Sequence, residues 1–390
     1  MSRSLYTHLS CHVCNAAFDT NQIHRFCPDC QQPLTACYDL TACNPKDLIR
    51  PDLPGMWRYF HVLPLKTEKS IIHLGEGQTP LLSLNKNSFK TGPGQIYLKD
   101  ESANPTGSFK ARGIGMAVSK ATELGIRSFC VPTAGNAGSA LAAYTAAAGG
   151  ESHIYMPVKT PSVFQEDCRV MGAKVTTVDG SIRDAGLLMA QDNKDQQWFD
   201  ISTLKEPFRL EGKKTMGYEI AEQLQWTLPD VIIYPTGGGT GLIGIWKAFQ
   251  EMMTLGWIHQ IPTRMIAVQM EGCRPVVDAY EQKLDYCVLA ENPEETAANG
   301  LRVPKAFGDR LIMKTIYQSH GEAIAVSEME MLQSISEFAR KSGIFLSPEG
   351  GAVYAAYKTM CIAGRIKENE TVVLINTGSP YKYMENHIVL

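Results

Sequence analysis

From residue 95 onward, short β-branched apolar runs alternate with longer stretches whose apolar positions recur at helical spacing. The runs QIYLK (95–99), SFCVPT (128–133), SHIYMP (152–157), KVTTV (174–178), VIIYP (231–235), MIAVQM (265–270) and TVVLIN (371–376) predict strands. Between them, IGMAVSKATEL (114–124), KKTMGYEIAEQL (213–224) and MEMLQSISEFARKSG (329–343) predict helices. Gly or Pro punctuates nearly every junction. This alternation predicts an α/β protein built on mainly parallel sheet, in which ligands collect beyond the carboxyl ends of the strands. Residues 44–94, with several prolines and weak periodicity, read as a linker and entry segment. No internal repeat or low-complexity tract interrupts the pattern.

A length of 390 residues predicts two or three domains, and 44% hydrophobic with 20% charged residues is the balance of an ordinary globular chain. A formal net charge of -3 gives no footprint for nucleic acid or an anionic membrane. The Ala-rich stretch 139–150 is too short to span a bilayer, and MSRSLYTHLSCHVC lacks the apolar core of a signal peptide. A cytoplasmic protein is the expectation.

Six of the 11 cysteines precede residue 44. Cys11 and Cys14 form one C-x2-C knuckle, Cys27 and Cys30 another, and four such thiolates suit a structural zinc ion. The intervening NAAFDTNQIHRF has too few apolar residues to fold by burial, so metal binding would supply the missing free energy. A redox dithiol and an iron site are the alternatives; the first lacks its βαβ context. His24 is surplus to such a site. Cys37 and Cys43 lack knuckle spacing, and the scattered Cys130, Cys168, Cys273, Cys287 and Cys361 read as small buried hydrophobes.

Three loops follow predicted strands. In Glu101–Gly113, Pro105 and Gly107 turn the chain, Ser108 can cap a helix, and Lys110 falls in its first turn, where the helix dipole lowers the basicity of an amine. Such a lysine suits Schiff-base chemistry, although a solvated lysine at a helix start has the same local sequence. Pro132–Ser139 (PTAGNAGS) lets backbone N–H groups approach an anion and offers the Asn136 amide; an ordinary strand-to-helix turn reads alike. Pro235–Gly244 (PTGGGTGLIG) makes a backbone cradle for a phosphate, without the G-K-[ST] of a nucleoside-triphosphate loop. Gly239, Gly241 and Gly244 also spell G-x-G-x-x-G, and Glu271 could serve as a ribose-binding acid, so a nicotinamide dehydrogenase is a rival. That rival has no use for the lysine loop. Near the C-terminus, Asn376-Thr-Gly-Ser379 puts a hydroxyl at a strand end.

Taken in order, NPTGSFKARG, TAGNAGSALAAY, PTGGGTGLIG and NTGS resemble the pyridoxal-phosphate enzymes of the tryptophan-synthase β-like fold, fold type II. Within it the chain is most similar to the threonine-synthase family, strengthened by STLKEPFRLEGKKTMGYE (202–219) and PEGGA (348–352). The resemblance runs from about residue 70 to the C-terminus. It implies two three-layer open α/β domains around mainly parallel sheets, plus a small N-terminal zinc ribbon such as some members carry. The corresponding division is a ribbon at 1–45, a linker and first part of the large domain at 46–100, a smaller α/β domain at 101–205 and a large one at 206–390. It also implies that Lys110 forms the Schiff base and shuttles protons, and that Asn136 bonds the cofactor's phenolic oxygen. Gly237, Gly238, Gly239, Thr240 and Gly241 would hold its phosphate, and Thr377 would face its pyridine nitrogen. Thr133, Ala134, Gly135, Asn136 and Ala137 would receive the substrate carboxylate, and Arg209 the substrate phosphate. The implied reaction turns O-phospho-L-homoserine and water into L-threonine and phosphate, catalysed by a homodimer with a small amino acid as its only partner.

Departures from the family pattern fall in the substrate frame. The second loop reads T-A-G-N-A instead of S-T-G-N-T, so hydroxyls are missing at Ala134 and Ala137. T-G-S-G-L-K becomes Thr377-Gly-Ser-Pro-Tyr-Lys382, and S-F-K-D-R becomes S-F-K-A-R. Lost donors would favour the alternative: a serine/threonine dehydratase, or a β-replacement synthase of the cysteate-synthase kind, acting on serine, threonine or phosphoserine.

Overall fold

The computed structural model describes residues 4–41, 48–84, 89 and 94–386. Cys43 and the expected boundary at 45/46 lie outside them. In chain order the strands are β1 (Tyr6–Cys11), β2 (Ala17–Phe18), β3 (Leu34–Tyr38), β4 (Leu81–Ser83), β5 (Gln95–Asp100), β6 (Ser128–Pro132), β7 (Glu151–Pro157), β8 (Lys174–Val178), β9 (Phe199–Asp200), β10 (Val231–Pro235), β11 (Arg264–Met270), β12 (Glu322–Val326) and β13 (Thr371–Asn376). The helices are α1 (Lys110–Glu123), α2 (Asn136–Ala147), α3 (Ser162–Val170), α4 (Ile182–Asp192), α5 (Phe208–Gln223), α6 (Thr240–Thr254), α7 (Pro275–Glu281), α8 (Asp309–Gln318), α9 (Glu328–Ser342) and α10 (Pro348–Ile362). Among the described residues, no helix is long and apolar enough to cross a membrane.

Two compact units result: Met1–Gln78 with Asn104–Thr215, and Thr79–Ala103 with Met216–Leu390. The first holds an antiparallel ribbon of order β2-β1-β3 and a parallel sheet of order β8-β7-β6-β9. Helices α1 and α2 pack closely because Gly115 leaves room for the Tyr144 ring, where a Cβ would lie 2.8 Å from it. The second unit holds a sheet of order β12-β11-β10-β13-β5-β4, parallel except for β4. Val231, Ile233, Val268, Val372 and Leu374 from its central strands form a core with Phe338 of α9 and Tyr354 of α10. Ser327 and Glu330 close a capping box at the start of α9, and Gly343 ends it in the left-handed region (φ 73°).

All seven predicted strands are present, within a residue or two at their ends. The short β4 and β9, the ribbon strands and β12 (EAIAV) were not predicted. The segment read as a linker is in part packed interior: a 3-10 stretch at Gly55–Val62 buries Met56, Trp57, Tyr59, Phe60 and Val62. Its apolar residues surround a short element on several sides, so no helical or strand period exposes them.

Candidate active site

In the first unit, the candidate residues lie at the carboxyl ends of parallel strands or at helix starts. Thr106 (φ 57°) and Gly107 (φ 67°) turn the lysine loop through two successive left-handed residues, and α1 begins at Lys110. A left-handed β-branched residue is strained, and the loop is held by Asn104, which accepts from Gly107 N–H at 2.9 Å and, through Oδ1, from Gly77 N–H at 3.0 Å. Ser108 does not occupy the cap position, which is Phe109; its Oγ instead accepts from the Lys110 N–H at 3.4 Å. The Lys110 and Lys213 amines lie 4.6 and 3.6 Å from the centre of the Phe109 ring.

Beyond β6, Thr133 Oγ1 accepts from Gly135 N–H at 3.1 Å and shapes the turn into α2, which starts at Asn136. Among the described residues nothing accepts from the Ala134 and Ala137 N–H groups. Beyond the adjacent β9, the chain enters α5, and Arg209 is its second residue. Helices α1 and α5 meet one turn after Lys110, where a Cβ at Gly113 would lie 2.8 Å from the Arg209 carbonyl.

Arg209 is 1% exposed, and its Nη1 donates to the Ile201 carbonyl at 2.6 Å. Its Nε and Nη2 are buried with no hydrogen-bond partner, and no carboxylate pairs with it among the described residues. Burial pulls its pKa down, against the opposing pull of Glu206 and Asp200. A buried guanidinium with two open donors is costly unless an anion meets it. Glu206, which the sequence did not flag, accepts from the N–H groups of Phe208 (2.7 Å) and Arg209 (3.1 Å). A carboxylate two residues before a helix start, followed by proline, was the available signal.

In the second unit, β10 and β13 are parallel neighbours, so the glycine loop and Thr377 both emerge at carboxyl ends of one sheet. Gly239, in the left-handed region (φ 75°), precedes α6, whose first residue is Thr240. Ile243 N–H turns back onto Gly239 O at 3.0 Å. Among the described residues nothing accepts from the backbone N–H groups of Gly237, Gly238, Gly239, Thr240 and Gly241. Five open donors in one loop at the positive end of a helix are suited to cradle an anion. Bulk cannot enter from behind: a Cβ at Gly237 would strike the Gly300 carbonyl, and one at Gly241 the Tyr234 hydroxyl. Thr377 is buried, and its neighbour Asn376 is fixed by Asp100 (2.9 Å) and Ser347 (3.0 Å).

The ribbon gathers Cys11, Cys14, Cys27 and Cys30, all four sulfurs within 4.8 Å of one another. The pairs Cys11–Cys30, Cys14–Cys27 and Cys14–Cys30 stand at 3.2, 3.6 and 3.8 Å. Tetrahedral zinc with bonds near ~2.3 Å needs edges of about 3.8 Å. Both knuckles turn alike, with Asn15 (φ 60°) and Gln31 (φ 56°) after their second cysteines. Burial opposes ionisation of Cys11, yet the N–H groups of Cys14 and Val13 and the sulfurs of Cys30 and Cys14 bring its pKa to about 7, whereas Cys14 and Cys30 are pushed up. Four thiolates this close ionise together only around a cation. His24 packs against the Phe18 ring instead, 5.3 Å between centroids.

The description that matches the chain is "Pyridoxal-phosphate dependent enzyme", over residues 72–378. The chain belongs to this family. It is 34% identical to the threonine synthase of Methanocaldococcus jannaschii, over 95% of this chain and 92% of that one. It is 33% identical to the threonine synthase of Methanosarcina acetivorans, over 95% and 91%. Solved structures share the fold: threonine deaminase isoform 2 of Solanum lycopersicum (TM-score 0.68, 21% identity, 80% and 87% covered) and an L-serine ammonia-lyase of Rhizomucor miehei (0.65, 22%, 79% and 98%). The enzyme is thus a pyridoxal-phosphate-dependent lyase of fold type II, and the glycine cradle fits the cofactor's phosphate.

Glu206 gives this enzyme a pH signature. Burial pushes its carboxyl up to about 7, against the pull of Arg209 and two N–H donors and with Asp200 adding to the rise. A carboxyl raised above its unfolded value contributes stability that is full below that unfolded value and is lost as pH climbs through 7. The loss is about 3 kcal/mol. We expect the urea midpoint of the wild type to fall between about pH 4.5 and about pH 7.5 relative to Glu206→Gln. Parallel midpoints for the two proteins across that window would show that Glu206 stays charged.

Proposed function

We propose that the enzyme converts O-phospho-L-homoserine and water to L-threonine and phosphate. The observation that carries this reading is the buried Arg209 guanidinium, with Nε and Nη2 open beside the start of α1. A phosphate supplies the planar pair of acceptors that such a fork takes. The likeness to enzymes named threonine synthase supports the same reading.

When bound, the cofactor supplies an electron sink that acidifies the protons of a substrate amino acid. Lys110 would hold it through the side-chain amine and would move protons at the substrate's α- and β-carbons. Gly237, Gly238, Gly239, Thr240 and Gly241 would hold its phosphate through backbone N–H groups, and Asn136 would hydrogen-bond its phenolic oxygen. The Thr377 hydroxyl would stand toward the ring nitrogen, and a neutral hydroxyl there would leave that nitrogen unprotonated, a weaker sink that suits elimination and replacement over transamination. Thr133, Ala134, Gly135, Asn136 and Ala137 receive the substrate carboxylate. Arg209 holds the phosphate that departs from the γ-carbon; that carbon ends as a methyl group, and the hydroxyl from water joins the β-carbon.

The four ribbon cysteines hold one structural zinc per chain, and we read the assembly as a cytoplasmic homodimer. Offered O-phospho-L-homoserine, the purified holoenzyme releases threonine and inorganic phosphate in equal amounts, and metal analysis finds one zinc. The missing hydroxyls at Ala134 and Ala137 favour a second reading, a dehydratase or β-replacement synthase. Keto acid from serine or threonine, with no phosphate from the phosphorylated substrate, would establish it in place of the first.

A further inference from the structure

The ribbon grips both flanks of the Arg209 segment. On one side, Arg25, two residues before Cys27, donates to Asp200 Oδ2 at 2.6 Å. Asp200 is 5% exposed along its side chain, and its Oδ1 accepts from the Ser202 N–H at 2.8 Å and from the Ser202 hydroxyl. Between those two residues stands Ile201, whose carbonyl receives Arg209 Nη1 and whose N–H donates to Cys130 O at 2.9 Å. On the other side, the Tyr38 hydroxyl at the end of β3 donates to Glu211 Oε2 at 2.7 Å. Glu211 pairs with Lys214 at 2.6 Å, both fully buried, and Lys214 in turn donates to the Val62 carbonyl at 2.7 Å. The Lys214 amine lies 4.0 Å from the centre of the Tyr38 ring. The carbonyl that aims the guanidinium and the helical turn that carries it are therefore each tied to the cysteine-bearing segment.

We infer that Arg25 and Tyr38 are positioning residues for Arg209, so that metal occupancy of the four cysteines sets the affinity of this anion site. The inference rests on the reading of Arg209 as a phosphate ligand. The physical basis is that an ion pair fixes a carbonyl only while its own anchor is fixed. Without metal, the segment between the knuckles has little apolar burial to hold Arg25 in place. The Asp200 turn then loses a charge-assisted tether, and Ile201 loses its fixed direction.

The test uses the full-length holoenzyme, whose cofactor already fills the glycine cradle, with inorganic phosphate as the probe. Arg25→Ala is expected to weaken phosphate binding roughly tenfold and to raise KM for the phosphorylated substrate in step. Its kcat and the visible absorbance of the bound cofactor stay at the wild-type level. Arg25→Lys, which keeps the charge, restores most of the affinity, and Tyr38→Phe, which keeps the ring over Lys214, gives a smaller loss. Removing the metal with a chelator reproduces the Arg25→Ala phenotype and speeds amide hydrogen exchange across residues 200–211. Phosphate affinity and exchange unchanged by chelation and by Arg25→Ala, while Arg209→Ala abolishes phosphate binding, would overturn the coupling and leave the Arg209 site standing. Phosphate binding that is absent from the wild type, or indifferent to Arg209→Ala, would remove both.

Discussion

Lys110→Ala is expected to lose activity by roughly a thousandfold or more, because on the proposed reading one side chain both tethers the cofactor and moves the protons. The same variant loses the visible absorbance of the lysine-bound cofactor, and borohydride no longer fixes cofactor mass to the chain. Two amines compete for this assignment, since Lys110 and Lys213 share the Phe109 ring at 4.6 and 3.6 Å. The loop favours Lys110: it opens α1 three residues after the left-handed pair Thr106 and Gly107, whereas Lys213 stands within α5, against the α1 backbone at Gly113. Lys213→Met should therefore keep the absorbance. If Lys213→Met loses it and Lys110→Ala does not, the roles are reversed.

Arg209→Met raises KM for a phosphorylated substrate by roughly a hundredfold with kcat within a few-fold, the pattern of an interaction made equally in ground and transition states. Stability should move the other way. A guanidinium held by one carbonyl, with two buried donors open, carries an uncompensated desolvation cost that an apolar side chain of similar length does not. The urea midpoint of ligand-free Arg209→Met is expected to equal or exceed that of the wild type. A clear fall in midpoint with KM unchanged would make Arg209 a structural residue.

The sheet of the second unit was legible because its central strands are rich in β-branched and other apolar residues: VIIYP and TVVLIN coincide with β10 and β13. The glycine loop was legible for a related reason, since a run of glycines between such a strand and a helix has few other uses. What stayed hidden lacks a local period. β12 mixes Glu with Ala and has little β-branched content to declare itself, and the Gly55–Val62 stretch is apolar on several faces. Arg209 entered only through resemblance to a family, because nothing in R-L-E-G-K-K says that the arginine is buried. Arg25 and Tyr38 owe their parts to partners distant along the chain; Arg25 meets a carboxylate 175 residues away and Tyr38 one 173 residues away.

The last strand among the described residues occupies the interior of its sheet: β13 lies between β10 and β5, and among those residues only β4 lies beyond β5. During synthesis, β5 emerges early and must wait for residues 371–376 before it gains a parallel neighbour. Until then the nascent protein carries two unsatisfied sheet edges, each apolar and open to a stranger's strand. A product lacking residues 371–376 would therefore be prone to clump rather than act as a weaker catalyst.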